Sequence, residues 1–198
     1  MVLKMHTFYA SAERDGRQTI AQQNEFFNEF ALMDPLLSGI LECVVILNSN
    51  RQIVYVNQNF LDFLKLPQPE TILGLRLGEA LRCAHAFTME GGCGTSQFCA
   101  VCGAAQAITQ AQKGKKALNE CRISVNKDDA LEALDLRVWA TPLNFEDEEF
   151  TLFAIVDISS EKRRRILERV FFHDITNTAG AIQGLAEMLE AHGDLTLM

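Results

Sequence analysis

Between Thr19 and Leu41 apolar residues recur at helical spacing (Ile20, Phe26, Phe27, Phe30, Leu32, Leu36, Leu37, Ile40, Leu41), and Pro35 is expected to break or restart that helix. Two roles fit the pattern equally: pairing with a second copy of itself, or capping the sheet that follows. CVVILNSNRQIVYVN then gives two β-rich runs around Asn48, Ser49 and Asn50, a hairpin signal. QNFLDFLKL reads as a short helix, Pro67 to Pro69 as a loop, and TILGLRLGEALRC as helical in spacing. After Gly91, Gly92 and Gly94 a further helix is expected from about Cys99 to Gln112.

Three strands follow. ALNECRISV puts Ala117, Cys121, Ile123 and Val125 on one face. LEALDLRVWATPL alternates Leu134, Leu136, Val138 and Ala140 against Asp135, Arg137 and Trp139, and EFTLFAIVDIS is apolar almost throughout. Two strands, short helices and three strands predict an α+β domain: an antiparallel five-stranded sheet with helices gathered on one face. Residues 1 to about 18 are polar and without period, and read as a mobile tail. From Glu161 to His192 there is no proline, and only Gly180 and Gly184 loosen what reads as one long helix.

Composition narrows the partners. A net charge of −8 argues against nucleic acid, because backbone phosphates would repel the surface, and the one basic run, Lys162 to Arg165, lies beside Glu161 and Glu168. No secretory h-region opens the chain, and nowhere do about 18 uncharged apolar residues run together, so a soluble cytoplasmic protein with no membrane partner is expected. In that compartment six cysteines argue against structural disulfides, and their spacing is where metal or redox chemistry is sought.

RQIVYVNQNFLDFL, with its I-x-Y-x-N-x-x-F pattern, resembles the second strand and following helix of PAS domains, and Asp157, Ile158 and Ser159 resemble the junction from such a domain to its output helix. The resemblance covers about residues 36 to 158. It implies an N-terminal tail and helix over 1–35, a PAS-like sensor domain over 36–158 with a cysteine-rich insert at 83–102, and a signalling helix over 159–198.

In that last segment Phe171, Ile175, Thr178, Ile182, Leu185 and Leu189 form a heptad-like seam suited to a helical bundle or a dimer. His173 lies two residues past Phe171, about 200 degrees round the helix, and is expected to point away from the seam with Asn177 on its own face. ERVFFHDITNTAGAIQGLAEML resembles the phosphoacceptor box of sensor histidine kinases. The resemblance makes His173 the phosphorylated residue, Asp174 its acidic neighbour, and Asn177 the residue that positions water for dephosphorylation of a response regulator. Thr176 stands where a larger or basic residue is usual, which weakens the phosphatase role. No ATP-binding domain is recognisable in these 198 residues, so the kinase domain is expected in trans or in a missing part of a longer protein. A homodimer through the N-terminal and C-terminal helices and a response regulator are the expected partners. The alternative is a dimeric metal- or ligand-binding PAS module with a vestigial phosphoacceptor box and no enzymatic role.

Within LRCAHAFTMEGGCGTSQFCAVCG, Cys83, Cys93, Cys99 and Cys102 have the spacing of a four-thiolate site, with the glycines letting the loop fold back. Four thiolates suit zinc or an iron-sulfur cluster, and the sequence does not choose between them. Dithiol redox exchange without metal is the next reading. His85 is a substitute ligand at best; Cys43 and Cys121, on strands, read as small core residues. No residue argues for haem or flavin.

Overall fold

The computed structural model describes residues 5–29, 36, 37, 39–127, 130–145 and 147–193. The chain divides into two compact units, residues 1–158 and 159–198. The first is built on five antiparallel strands: β1 (Cys43–Asn48), β2 (Ile53–Val56), β3 (Ala117–Lys127), β4 (Ala130–Phe145) and β5 (Glu148–Asp157), in the order β2-β1-β5-β4-β3. This is the α+β architecture expected from the alternation of elements.

The central strands read as continuous apolar runs because both faces of the sheet are covered where they lie. Val45 and Leu47 of β1 join Phe60, Ile108, Val138 and Phe153 in the larger core, under helices α2 (Gln58–Leu64), α3 (Leu77–Ala80) and α4 (Gly103–Ala111). Val44 and Ile46 face the other way, against Ile20 and Phe27 of helix α1 (Arg17–Glu29). The N-terminal helix therefore caps the sheet, the second of the two roles its pattern left open, and its apolar positions are used inside the domain. The expected break at Pro35 lies outside the described residues.

Two turns explain how the hairpin and the first helix are fixed. Asn48 Oδ1 accepts the N–H groups of Asn50 (3.0 Å) and Gln52 (2.9 Å), closing the β1–β2 turn. Asn57, the asparagine of the I-x-Y-x-N-x-x-F pattern, caps α2: its Oδ1 accepts from Phe60 N–H and Val44 N–H, while its Nδ2 donates to the Leu37 and Glu42 carbonyls. The motif is thus a knot of hydrogen bonds between β1, β2 and α2.

Three expectations are corrected. TILGLRLGEALRC is no continuous helix, but a 3-10 turn at Pro69–Thr71, an extended stretch and the single turn α3. Its apolar spacing is met by a looped backbone whose polar groups bond elsewhere, including Ile53 N–H to the Leu75 carbonyl. The helix expected from Cys99 splits into a 3-10 turn at Gln97–Val101 and then α4, with Cys102 as the N-cap between them. The tail is docked: Phe8 N–H and Ala10 N–H donate to the Thr95 and Gly94 carbonyls, and Arg14 pairs with Glu79.

The second unit is helix α5 (Ser159–Gly193), continuous through Gly180 and Gly184. Its apolar side chains, Phe171, Ile175, Ile182, Leu185 and Leu189 among them, are exposed. Among the described residues no helix is long and apolar enough to cross a membrane.

Candidate functional site

Five of the six cysteines line one cavity of about 180 Å³ in the first unit: Cys83, Cys93, Cys99, Cys102 and Cys121. They arrive on separate pieces of backbone. Cys83 follows α3, its N–H bonded to the Gly78 carbonyl at 2.7 Å, and Cys93 sits in the glycine loop. Cys99 lies in the 3-10 turn, Cys102 caps α4, and Cys121 comes from the inner face of β3. Close approach of these pieces needs small residues. A Cβ on Gly78 would lie 2.7 Å from Cys93 Sγ, and one on Gly103 would overlap the Glu120 carbonyl, so α4 packs on β3 only with glycine there.

The thiols work in pairs. Cys93 and Cys99 interact side chain to side chain, and this holds Cys93 protonated, with burial adding to the effect, while Cys99 is drawn down to about 5. Cys99 Sγ also accepts from Gly94 N–H at 3.2 Å and lies 3.3 Å from Ser96 Oγ. Cys102 is likewise brought down to about 6, first by the Cys121 thiol and then, against burial, by the N–H groups of Ala105 and Ala104 at the start of α4. Cys121 moves up in consequence, and burial raises Cys83.

One wall is cationic. Arg76 is 1% exposed and donates to the Asn50, Gly91, Cys93, Ser11 and Glu13 carbonyls at 2.7 to 3.2 Å. Burial, then Arg51 and Arg14, lower it to about 10. Arg51 is also buried and lines the cavity. Glu79 accepts from the N–H groups of Arg76 and Cys93 as well as from Arg14.

All four cysteines singled out by spacing are therefore brought to one cavity. Among the described residues, however, no three His, Cys, Asp or Glu side chains are placed to hold a single metal ion. Cys121 is a correction: it is buried in the core as expected, but its sulfur faces Cys102 and the cavity. The cue was its position on the inward face with Ile123. Cys43 lies apart, donating to the Asn59 carbonyl at 3.5 Å. His85 stacks on Phe98, ring centroids 4.0 Å apart, on the cavity wall. Arg51, Arg76 and Glu79 were not singled out; the cue for Arg76 was a charge embedded between Leu75 and Leu77.

On α5 the His173 and Asp174 side chains are 71% and 72% exposed, with Asp174 Oδ1 3.4 Å from Nδ1. Asn177, one turn on, places Nδ2 3.2 Å from Nδ1 and 3.3 Å from Nε2. With a proton on Nδ1 directed to Asp174, Nε2 is the acceptor nitrogen, within 3.3 Å of the Asn177 amide, on a side chain that is largely exposed. Thr176 and Thr178 turn their hydroxyls back to the Phe172 and Asp174 carbonyls at 2.8 Å, so neither extends over the histidine.

No protein-family model matches the chain, and no curated protein does. Among solved structures it is similar to a PAS domain from a two-component sensor histidine kinase, at 15% identity and TM-score 0.44, covering 66% of this chain and 96% of that one. It is similar also to the PAS domain of nitrogen regulation protein NR(II) from Vibrio parahaemolyticus, at 17% identity and TM-score 0.47, covering 65% and 99%. A third is a light-oxygen-voltage domain studied with a flavin analogue, at 14% identity and TM-score 0.45, covering 73% and 97%. The likeness is one of fold.

Proposed function

We propose that the chain is the sensory and phosphoacceptor part of a cytoplasmic two-component signalling protein. A four-cysteine metal or redox site, zinc or iron-sulfur, controls the helix carrying His173. The observation that carries the reading is His173 itself: an exposed imidazole beside Asp174, with Asn177 on the same face of a 35-residue helix that follows directly on the last strand of the sheet. Its resemblance to the phosphoacceptor box of histidine kinases adds weight.

Nε2 attacks the γ-phosphorus of ATP held by a kinase domain, in trans or from the rest of a longer protein; the bond to the bridging oxygen breaks and ADP leaves with the electron pair. A response regulator takes the phosphoryl group onward. The exposed apolar seam of α5 pairs with a second copy, and the sensor unit changes the equilibrium of that pairing. Six cysteines without disulfides suit the reducing cytoplasm.

The test is incubation with a complete histidine kinase and labelled ATP. Acid-labile phosphate should appear on the wild-type chain and be absent from His173→Gln, while Asn177→Ala still accepts phosphate but accelerates loss of phosphate from the phosphorylated regulator less than the wild-type chain does. Equal labelling of the wild-type chain and His173→Gln would remove the reading at its centre. The thiol-lined cavity by itself favours a second reading, a dimeric metal-binding module with a vestigial box, which predicts bound metal and no phosphohistidine under any condition.

A further inference from the structure

Packing does not account for Arg51. The residue is only 7% exposed and lines the thiol cavity; Nη2 donates to the Ser11 carbonyl, while its buried Nε has no hydrogen-bond partner among the described residues. A buried donor left unmade costs on the order of 1–3 kcal/mol, so packing and hydrogen bonding alone do not explain a buried guanidinium on the cavity wall. Charge points the same way. Arg14, Arg51 and Arg76 gather at this wall around one carboxylate, Glu79, to which Arg14 is already paired. Buried cations call for anionic neighbours, and the cavity offers only sulfur.

The sulfurs surround a space rather than a point. A zinc ion draws four ligands to about 2.3 Å from one centre. Here five thiols stand around a cavity of about 180 Å³, and among the described residues no three His, Cys, Asp or Glu side chains meet at a single-ion position. A dry cavity of roughly 150 Å³ takes a guest the size of benzene, so this one exceeds a lone cation, yet it falls below the roughly 300–1,000 Å³ of pockets that hold larger organic ligands. A compact anionic body of several atoms with affinity for thiolates fits both limits.

We infer that the cavity binds an iron-sulfur cluster, ligated by four of the five thiolates of Cys83, Cys93, Cys99, Cys102 and Cys121, with the buried Arg51 charge on the wall beside it. The cluster arrives ready-made on a carrier and is taken up by ligand exchange: each sulfur–iron bond to this chain forms as one to a carrier ligand breaks, the incoming thiol's proton goes to solvent or to the departing ligand, and no oxidation state changes. Arg51 is a positioning residue: its buried charge favours the reduced, more negative cluster and so raises the reduction potential. The inference rests on the reading of this cavity as the sensing site, and is independent of His173.

The experiment is iron and acid-labile sulfide analysis, with absorption and electron paramagnetic resonance spectra, on the full chain purified without oxygen. A brown protein with iron and sulfide in equal amounts, more than one of each per chain, is expected. At most one of the five cysteines is spare, so the double variant Cys99→Ser/Cys102→Ser always removes a ligand and should lower bound iron at least about tenfold. Cys43→Ser, whose thiol lies apart, should retain it. Arg51→Met should keep the cluster and shift its midpoint potential downward, a readout that a merely structural arginine would leave unmoved. Colourless protein with one zinc per chain, metal-free protein, or iron retained by the double variant overturns the inference; an unmoved potential in Arg51→Met overturns the part given to Arg51. His173→Gln should hold as much iron as the wild-type chain, so a cluster present without phosphotransfer sinks the output reading alone.

Discussion

Arg76 does more for this domain than any residue that its motifs mark. One guanidinium satisfies five carbonyls from three stretches of chain, at Ser11 and Glu13, at Asn50, and at Gly91 and Cys93. Arg76→Met keeps the stem but strands those acceptors, and should lower the unfolding free energy by about 3 kcal/mol or more in a denaturant titration. Cys43 offers a milder test through pH. Burial first, then the charges of Asp157 and Asp62, raise its thiol from 9.0 to about 11. Below pH 9 both folded and unfolded chains keep the proton; above it the unfolded chain loses its proton first, so the stability due to this thiol is lost as pH rises from 9.0 towards about 11. Cys43→Ala should flatten that part of the pH-stability curve relative to the wild-type protein, as read by denaturant midpoints at pH 8 and above. Asn57 was legible because its pattern of neighbours is local. Arg76 was not, since its partners lie up to 65 residues away.

At the scale of elements, strands were easier to read than short helices. β4 alternates and β3 does so in part, with one face buried, while β1, β2 and β5 are near-continuous apolar runs covered on both faces, and either pattern is read over a few adjacent residues. TILGLRLGEALRC misled because a loop that folds over a core buries residues at irregular intervals that imitate a 3.6 period, and only α3 is helical there. The cysteine motif was half legible. Spacing brought out Cys83, Cys93, Cys99 and Cys102, whereas Cys121 reaches the same cavity through the packing of α4 on β3, which no spacing records. That packing hinges on Gly103. Gly103→Ala would drive a methyl into the Glu120 carbonyl and should cost about 1–3 kcal/mol by thermal or chemical unfolding, while also moving Cys102 away from Cys121.

For the whole molecule, the contrast between units is the informative fact. Residues 1–158 bury two hydrophobic clusters on either face of one sheet, whereas α5 carries its apolar side chains into solvent. Contiguous exposed apolar surface of this kind marks an association site. Ile175→Glu with Leu185→Glu should abolish the proposed pairing of α5 with a second copy, read as a monomer in sedimentation equilibrium, and leave the thermal unfolding of the sheet unit unchanged.

The docking of residues 8–14 has a practical side. A shortened chain starting at α1 would look safe from periodicity, since nothing before it repeats with the period of a helix or a strand. It would nonetheless strip Arg76 of the Ser11 and Glu13 carbonyls, Glu79 of Arg14, and the glycine loop of its pairing with Phe8 and Ala10. Such a truncation would still fold its sheet, but with one wall of the thiol cavity unlatched, and any measurement of what that cavity holds would report on the cut rather than on the protein.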